Sequence, residues 1–262
     1  MFQAREFVFA GLPSSYFGLY CCDFGSTQHQ DNAFGNKAKI IEERINDRVR
    51  PLHFGVNYHD EPLTFTMIFG GDEPFDRHDM QAISKWLTGY QQYQWLKINQ
   101  PDMQDVVFRC LIRELTPISV GWFPYAFSAE VICDCPYAYS NEFEQSYDVQ
   151  SGDIIMLRNL STAREILRPV MTIDIPSGTK SFSLTNKSNG NQVFAFTSLP
   201  GGALHIVIDN ETGVITETTQ GLDVYPYFNF NFFEMALGDN FLFVEGDAKV
   251  TFTGRFLMNV GA

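Results

Sequence analysis

The residues best suited to covalent or metal chemistry are five cysteines and five histidines, and their spacing matches no common reactive motif. The cysteines are Cys21, Cys22, Cys110, Cys133 and Cys135. Zinc sites usually pair thiolates in a C-x2-C spacing, which neither Cys21-Cys22 nor Cys133-x-Cys135 has. An odd cysteine count without a secretory leader favours free thiols. We therefore predict packing or surface thiols, with no metal, no cofactor and no disulfide.

The other polar motifs also give little support for catalysis. His205 alternates with apolar neighbours, which predicts that it faces outward. Glu42 and Glu43 are adjacent, so on a strand they face opposite ways. Gly70-Gly71 and Gly201-Gly202 lie between strand ends and turn residues, which indicates turns rather than phosphate-binding loops. We predict that the protein is not an enzyme, although a pair of glycosidase carboxylates stays an open alternative because such residues meet only in space.

The aromatic run Tyr225–Phe233 is a candidate ligand surface. Exposed rings can stack on sugars, and Tyr225 and Tyr227 are the candidate residues for a sugar or partner surface. If the run forms a strand, alternate phenylalanines point into the core instead, and this is the interpretation that we favour. An uncovered run would be an aggregation hazard, so a neighbouring subunit or domain could cover it.

The net charge of −13, from 31 acidic and 18 basic residues, limits the classes of partner. A protein that grips duplex DNA needs a basic surface, and so does one that binds an anionic membrane. No apolar stretch is long enough to span a bilayer, and Arg5 and Glu6 lie where a signal peptide needs an apolar run. We expect a protein that is made in the cytoplasm and binds neither DNA nor membranes.

Residues 1–136 combine short strands with a single helix, predicted over about 76–93. Asp76 is the predicted N-cap, and Asp79 is its capping-box partner. The apolar positions of the helix share one face because they lie three or four residues apart: Met80, Ile83, Leu87 and Tyr90.

Several strands surround this helix in the sequence. Leu52–Tyr58 and Leu63–Phe69 are predicted to pair across a polar turn. Val106–Leu115 is a strong strand, and Tyr125–Cys133 alternates well. In the latter, Phe127, Ala129 and Val131 are predicted to face the same way.

Beyond Pro136 the sequence predicts strands and no helix. Their spacing is typical of a sandwich or jelly roll, so we predict a boundary near Pro136 and a C-terminal domain of residues 137–262. The predicted strands are Ile154–Arg158, Val170–Ile175, Ser181–Asn186, Gln192–Thr197, Ala203–Ile208, Val214–Glu217, Asn229–Phe233, Phe241–Val244 and Lys249–Phe256.

One stretch of the N-terminal domain has the features of a subunit contact. Thr27–Lys39 lacks any period and reads as an arm, and Ile40–Val49 reads as an exposed strand or a short helix. Neither has the pattern of core of its own domain, and both are long for simple connections. The candidate interface residues are Ile40, Ile41, Arg44, Arg48 and Arg50, whose arginines could meet a neighbour's carboxylates.

Taken in order, several stretches resemble the distal tail proteins of long-tailed, non-contractile phages. Each motif is weak alone, and the resemblance lies in their order and spacing over nearly the whole chain. In the N-terminal part they are Phe9-Ala10-Gly11 with Ser14-Ser15, Asp76-Arg77 through Trp86-Leu87, Trp95-Leu96-Lys97, Val106–Leu115 and Cys133 through Ser140. In the C-terminal part they are Pro169–Ile175, Phe182 through Asn186, Leu204 through Asp209 with Gly213, and Gly238-Asp239-Asn240.

This resemblance implies a mainly β protein with two domains. The N-terminal domain would be β-barrel- or sandwich-like, with one helix and an extended hairpin. The C-terminal domain would be a galectin-like or carbohydrate-module-like β-sandwich of the jelly-roll type. The chain has no room for the inserted sugar-binding modules of larger relatives, so it resembles the compact type.

The resemblance also implies a structural role at the virion tail tip. A homo-hexameric ring of N-terminal domains would join the tail tube protein to the tail-tip hub or tail-associated lysin, and DNA would pass through without being bound. The C-terminal domains would carry receptor-binding or arm proteins. The alternatives are a carbohydrate-binding tail protein, whose C-terminal sandwich contacts a cell-wall sugar, and a glycan hydrolase.

Overall fold

In a computed structural model of the protein, the described residues are 6–21, 39–46, 48–57 and 61–259. The chain divides into two compact units. The first extends to Ser140 and includes the chain end from Met258, and the second is Asn141–Leu257. The boundary expected near Pro136 stays a prediction of where the chain can be cut. Most of the predicted arm, residues 27–38, lies outside the described residues.

The first unit is built from short and long antiparallel strands around one helix. In chain order the strands are β1 (Phe7–Phe9), β2 (Leu12–Pro13), β3 (Tyr20–Cys21), β4 (Lys39–Glu43), β5 (Leu52–Asn57), β6 (Thr64–Gly70), β7 (Gln94–Ile98), β8 (Val106–Val120), β9 (Phe123–Cys133) and β10 (Ala138–Ser140). The main sheet has the order β2-β1-β7-β8-β9-β6-β3, and β10 pairs with β8. A 3-10 helix (Ser14–Phe17) follows β2.

The helix α1 (Arg77–Thr88) begins at the predicted cap. The Asp76 carboxylate accepts the backbone N–H of His78 at 2.7 Å and that of Asp79 at 2.8 Å. The Asp79 carboxylate accepts the backbone N–H of Asp76 at 3.0 Å, which completes the capping box. The predicted extension to residue 93 is wrong, because the helix ends at Thr88 with Gly89 as its C-cap.

The apolar face of α1 packs on the main sheet, in part through aromatic contacts. The Trp86 ring stacks on Phe17, with ring centroids 4.6 Å apart, and on Phe7 at 5.8 Å. Its indole N–H donates to the carbonyl of Phe9 at 3.2 Å, so the polar atom of this buried ring is satisfied. Tyr90 lies beyond the helix end but packs edge-on against Phe9. The period of the sequence identified this face correctly.

The alternation in β9 is confirmed, whereas one predicted pairing is wrong. Phe127, Ala129 and Val131 are buried in the core. However, β5 does not pair with β6. It forms a separate two-stranded sheet with β4, while β6 lies between β9 and β3. Alternation identifies the buried face of a strand but carries no information about its neighbour.

The second unit contains two antiparallel sheets. Its strands are β11 (Phe143–Val149), β12 (Ile154–Asn159), β13 (Val170–Ile175), β14 (Phe182–Asn186), β15 (Gln192–Phe196), β16 (Leu204–Asp209), β17 (Val214–Glu217), β18 (Gly238–Glu245) and β19 (Ala248–Gly254). The five-stranded sheet has the order β11-β19-β13-β16-β17, and the four-stranded sheet has the order β12-β18-β14-β15. Apolar residues on one face of each sheet are buried, as in a sandwich. The last strand, β20 (Leu257–Met258), pairs with β10 of the first unit.

The predicted strand Asn229–Phe233 is wrong. A 3-10 helix (Tyr225–Tyr227) precedes this segment, and side-chain amides hold it in place of a β ladder. Asn229 donates to the carbonyl of Val193 at 2.8 Å and accepts the N–H of Ala195 at 3.2 Å. Asn210 accepts the N–H of Phe233 at 2.8 Å. These bonds satisfy the backbone of an irregular segment, from which Phe228 and Phe233 reach the core while Phe230 stays exposed.

Candidate interaction surfaces

The hairpin of β4 and β5 exposes apolar side chains that its own unit does not cover. All residues of β4 are exposed. Ile40 and its register partner Val56 are 60% and 40% exposed, and Phe54 is 64% exposed. A two-stranded hairpin without a covered face is marginal on its own. This surface therefore has the composition of one that a second protein chain covers.

The turn of this hairpin is basic in an acidic chain. Arg44, Arg48 and Arg50 lie between β4 and β5 and are exposed. Within the described part of this turn, the Arg44 guanidinium lies 3.8 Å from the Glu42 carboxylate. The structure thus brings all the predicted interface residues together on one hairpin, in which the described residues of Ile40–Val49 are the end of β4 and part of the turn. Whether they form a subunit interface stays a prediction.

A bulge shapes the same hairpin. The register shifts between Ile41 and Glu42, which leaves Phe54 as an additional residue on β5. Gly55, the register partner of Ile41, has a φ of 144°, a backbone conformation that L side chains rarely adopt. Such bulges increase strand twist and redirect side chains, and they blunt an open edge against indiscriminate pairing.

The long hairpin of β8 and β9 ends in exposed aromatic residues. Trp122 is 95% exposed, and Val120 and Phe123 on either side are exposed as well. Gly121 takes a positive φ of 66° at the turn. This tip was not among the predicted sites, although two aromatic residues beside a turn glycine were an available signal in the sequence. Tryptophan is enriched among residues that dominate protein interfaces.

The outer face of the four-stranded sheet is apolar in the middle. Ile154 of β12 is 66% exposed and is the register partner of Phe243 on β18. Met156 pairs with Phe241 in the next row, and both are about half exposed. Val193 extends the patch across β14 to β15. We call this surface, Ile154, Met156, Val193, Phe241 and Phe243, the sheet patch.

Charged side chains at the border of the sheet patch have partners within the chain. Arg158 and Asp239 form an ion pair at 3.3 Å beyond one end. At the other end Ser183 donates to the Glu245 carboxylate at 2.9 Å. The Lys187 ammonium lies 5.6 Å from the centroid of the Phe243 ring. An apolar centre with a satisfied polar border is the usual anatomy of a protein interface.

The outer face of the five-stranded sheet is polar by contrast. Ser146 and Thr251 share a hydrogen bond at 2.8 Å across β11 and β19, and Thr172 continues the row on β13. His205 faces outward as predicted, and its Nδ1 lies 2.5 Å from the Asp174 carboxylate. The two outer faces therefore differ in character, and the apolar one is the exception for a solvated sandwich.

Tyr225 and Tyr227, the predicted sugar or partner residues, are both half-buried. The Tyr225 hydroxyl donates to the carbonyl of Gly213 at 3.2 Å and accepts the N–H of Ile215 at 2.9 Å. Its ring stacks on Phe230, which is 63% exposed. The accessible part of this aromatic group is thus Phe230, and sugar binding by the two tyrosines stays a prediction.

The segment after β9 takes part in a half-buried polar cluster. The Tyr139 hydroxyl donates to the Asp134 carboxylate at 3.0 Å, and the Arg109 guanidinium lies 3.6 Å from that carboxylate. The Cys135 thiol donates to the Tyr137 carbonyl. Burial raises the pKa of Asp134, although the Tyr139 hydroxyl and Arg109 oppose that rise. These groups satisfy one another, so their arrangement suits structural packing.

A cavity of about 630 Å³ at one end of the five-stranded sheet is lined by several carboxylates. Asp153 accepts the backbone N–H of Gln150 at 2.8 Å, and Asp247 accepts that of Ser151 at 3.1 Å. These carboxylates therefore stabilise turns. Across the described ranges, no group of three or more metal-binding side chains is gathered. In the same ranges no helix is long and apolar enough to cross a bilayer.

The class of protein follows from two family models that together cover most of the chain. A phage tail protein N-terminal domain matches residues 2–135, and a phage tail C-terminal domain matches residues 137–254. The chain therefore belongs to this family of phage tail proteins. Among curated proteins, none matches its sequence.

Solved structures narrow the class to a particular fold. The SPP1 Dit protein (gp 19.1), described as a hub of the adsorption apparatus in phages that infect Gram-positive bacteria, has a TM-score of 0.71 and 9% identity. The match covers 96% of this chain and 99% of that chain. The phage P2 baseplate in its activated conformation with Ca matches with a TM-score of 0.47 and 12% identity, over 84% of this chain and 87% of that chain. The fold is that of the siphophage distal tail proteins, as the sequence resemblance implied.

Proposed function

We propose that this protein forms a homo-hexameric ring at the distal end of a siphophage tail and joins the tail tube to the tail-tip or baseplate proteins. The observation that carries the proposal is the β4–β5 hairpin, whose apolar residues are exposed on a structural tail protein. A ring closes only through two different patches on each copy, one of which projects to the neighbour. A bulged, apolar hairpin with a basic turn fits the projecting patch.

The charge of the chain suits a channel through which DNA passes. Each copy carries −13, so a ring should repel a DNA duplex rather than retain it. In this proposal the arginines of the hairpin turn contact a neighbour's carboxylates, so they are not available to bind DNA. Binding of duplex DNA at physiological salt would contradict it.

We assign the sheet patch to the attachment of a second tail-tip protein, such as a receptor-binding or arm protein. Arg158 and Asp239 at its border pair with each other, and the apolar centre carries no charged side chain. Such a surface fits an uncharged apolar protein face better than a sugar, a nucleic acid or an anionic lipid. The protein acts without catalysis in this role.

The oligomeric state tests the ring, and the chain offers a matched control. Ile40→Asp places a charge on the hairpin and should shift the protein from hexamer to lower-order species. Ile154→Asp makes the same change at a residue of similar exposure on the sheet patch and should leave the ring intact. Light scattering after size exclusion, at micromolar concentration with and without the tail tube protein, measures the mass against the 29.8 kDa protomer.

If the Ile40→Asp variant still forms the hexamer, the hairpin does not lie in the subunit interface. A wild-type monomer under all these conditions would contradict the hexamer itself. Circular dichroism of both variants is needed beside the mass, because an unfolded variant would also fail to assemble.

Carbohydrate binding by the second unit is the alternative function. The observation in its favour is the exposed Phe230 ring stacked on Tyr225. A glycan array probed with the full-length protein and with Phe230→Ala distinguishes the two roles. Signal that Phe230→Ala abolishes would favour the sugar-binding role, and absence of signal for both proteins would favour a purely structural one.

A further inference from the structure

Two cysteines lie opposite each other on neighbouring strands in the core of the first unit. Cys110 of β8 and Cys133 of β9 are register partners. Both are fully buried and belong to the apolar cluster that contains Phe108 and Val131. Both are free thiols. The ring proposed above makes no use of them.

The backbone hydrogen bonds beside the pair define its geometry. The N–H of Asp134, which follows Cys133, donates at 2.9 Å to the carbonyl of Arg109, which precedes Cys110. This pattern identifies Cys110 and Cys133 as a non-hydrogen-bonded pair, in which Cα atoms are typically about 4.5 Å apart and side chains approach most closely. Disulfides occur at Cα separations of about 4.4–6.8 Å. The strands therefore already hold the two residues at a bridgeable distance.

We propose that Cys110 and Cys133 are an oxidation site at which a disulfide closes across the base of the β8–β9 hairpin without a change of fold. The side chains of a cross-strand pair lie on the same face of the sheet, so closure requires side-chain rotation and no movement of the strands. The bond would tie together the hairpin that carries Trp122 at its tip.

The reaction is thiol–disulfide exchange with a low-molecular-weight disulfide. The Cys133 thiol loses its proton, and its sulfur attacks the disulfide to give a mixed disulfide and one released thiolate. The Cys110 sulfur, after losing its own proton, attacks the Cys133 sulfur and releases the second thiolate. Both thiolates take up the protons, so two protein thiols are oxidised while one small disulfide is reduced to two thiols.

The surroundings of the pair make this reaction slow in the folded protein. Burial raises the pKa of the Cys110 thiol to about 12. Burial, together with the neighbouring Cys110, raises the pKa of the Cys133 thiol as well. Because the thiolate is the nucleophile, little of the reactive form exists at neutral pH. The exchange therefore proceeds during brief openings of the sheet, and the chain is reduced when freshly made.

The timing of this oxidation rests on the proposed function. A tail protein folds in a reducing cytoplasm and leaves it with the virion, where disulfides persist. The bond itself is independent of the ring, since it lies within one unit of one chain. Failure of the ring and failure of the disulfide are therefore separate results.

The experiment follows the thiols of the full-length protein during incubation with glutathione disulfide. We expect five free thiols in the freshly purified protein, counted against the five cysteines of the sequence. After days of incubation, or hours in sub-denaturing urea, the intact mass should fall by two hydrogen atoms. Peptide mapping should find Cys110 linked to Cys133. The thermal midpoint should be about 5–10 °C higher without reductant than with it.

Matched serine variants identify the pair. Cys135→Ser should cross-link like the wild type, whereas Cys110→Ser and Cys133→Ser should not. The following outcomes would each overturn the proposal: a bond that involves Cys135, glutathione adducts on single cysteines in place of the bond, or no bond even in urea. A bond that lowers the thermal midpoint would do so too, because it would show that the fold does not accommodate the closure.

Discussion

In the second unit, individual buried polar side chains hold loops in place through hydrogen bonds to the backbone. Asn186 donates to the carbonyl of Glu234 and to Asn240, and Asn240 accepts the N–H of Ala236. Asn186 and Asn240 are fully buried. A buried amide is tolerated because each polar atom finds a partner, and its loss would leave backbone groups unsatisfied. Such residues carry no periodic signal, which is why the segment before β18 was not predictable from alternation.

Glu217 is a charged side chain that satisfies backbone N–H groups in the same way. Its carboxylate accepts the backbone N–H groups of Thr219, Gln220, Leu222 and His205. Burial opposes the charged form, but these donors outweigh it and lower the pKa from an ordinary 4.5 to about 2. The carboxylate thus closes the turn after β17.

Replacing this carboxylate should destabilise the protein in a pH-dependent manner. In Glu217→Gln the side-chain amide would point N–H groups at backbone N–H groups, so we expect a loss of about 2–3 kcal/mol in the free energy of unfolding at pH 7. The lowered pKa contributes stability above pH 4.5 that is lost as the pH falls towards 2. The difference between wild type and variant should therefore shrink at pH 3.

Urea unfolding at pH 7 and pH 3 measures both quantities. Glu144→Gln, on the exposed side of β11, is the control and should change the stability by less than about 0.5 kcal/mol. Equal losses for Glu217→Gln at both pH values would show that the turn does not depend on the charge.

At the scale of elements, the start of α1 was predictable and its end was not. The cap residues and the apolar spacing are local features of the sequence, and the structure has both. The end at Thr88 depends on Gly89, a weaker signal inside a continuing apolar period. Likewise, alternation identified the buried face of β9. The pairing of β5 with β4, however, depends on which strands have no partner in the main sheet, and that is not a local property of the sequence.

The capping box makes a measurable prediction for α1. Asp76→Ala removes the acceptor for the N–H groups of His78 and Asp79 and should lower the thermal midpoint by about 2–4 °C. The N–H of Asp79 in particular lowers the pKa of Asp76, so the contribution should be fully present above pH 3.8 and be lost as the pH falls below that value. Differential scanning calorimetry is the measurement, and exposed Glu73→Ala is the control. A midpoint unchanged in Asp76→Ala would mean that packing of Trp86 alone determines where the helix begins.

The exposed surfaces were the least predictable part of the candidate site. The sequence showed that Ile40 and Ile41 lie in a segment unlike core, because charged residues interrupt their alternation. It did not reveal the sheet patch, since Ile154, Ile155, Met156 and Leu157 are consecutive apolar residues. A run of this kind looks the same whether its second face is covered by the chain itself or by a partner.

At the scale of the whole molecule, each unit has a core of its own. In the second unit Ile173, Ile206 and Phe252 are fully buried within its sheets. In the first, Met258 packs against the core cluster although it comes from the chain end. The first unit is therefore made of two separate parts of the sequence, residues up to Ser140 and the chain end from Met258. Neither the composition nor the periodicity of the sequence predicts that the chain end belongs to the first unit.

The two units should consequently differ in how they tolerate separation. A fragment of residues 141–257 should express as a monomer with a β-type circular dichroism spectrum and a cooperative melt, because its described core needs no residue of the first unit. A fragment of residues 1–140 should fold but melt below the same fragment fused through a short linker to residues 258–262, since it lacks Met258. Thermal melts of the three fragments test this. A molten 141–257 fragment would show that the second unit depends on the first, and equal midpoints for the two N-terminal fragments would show that Met258 contributes nothing to that core.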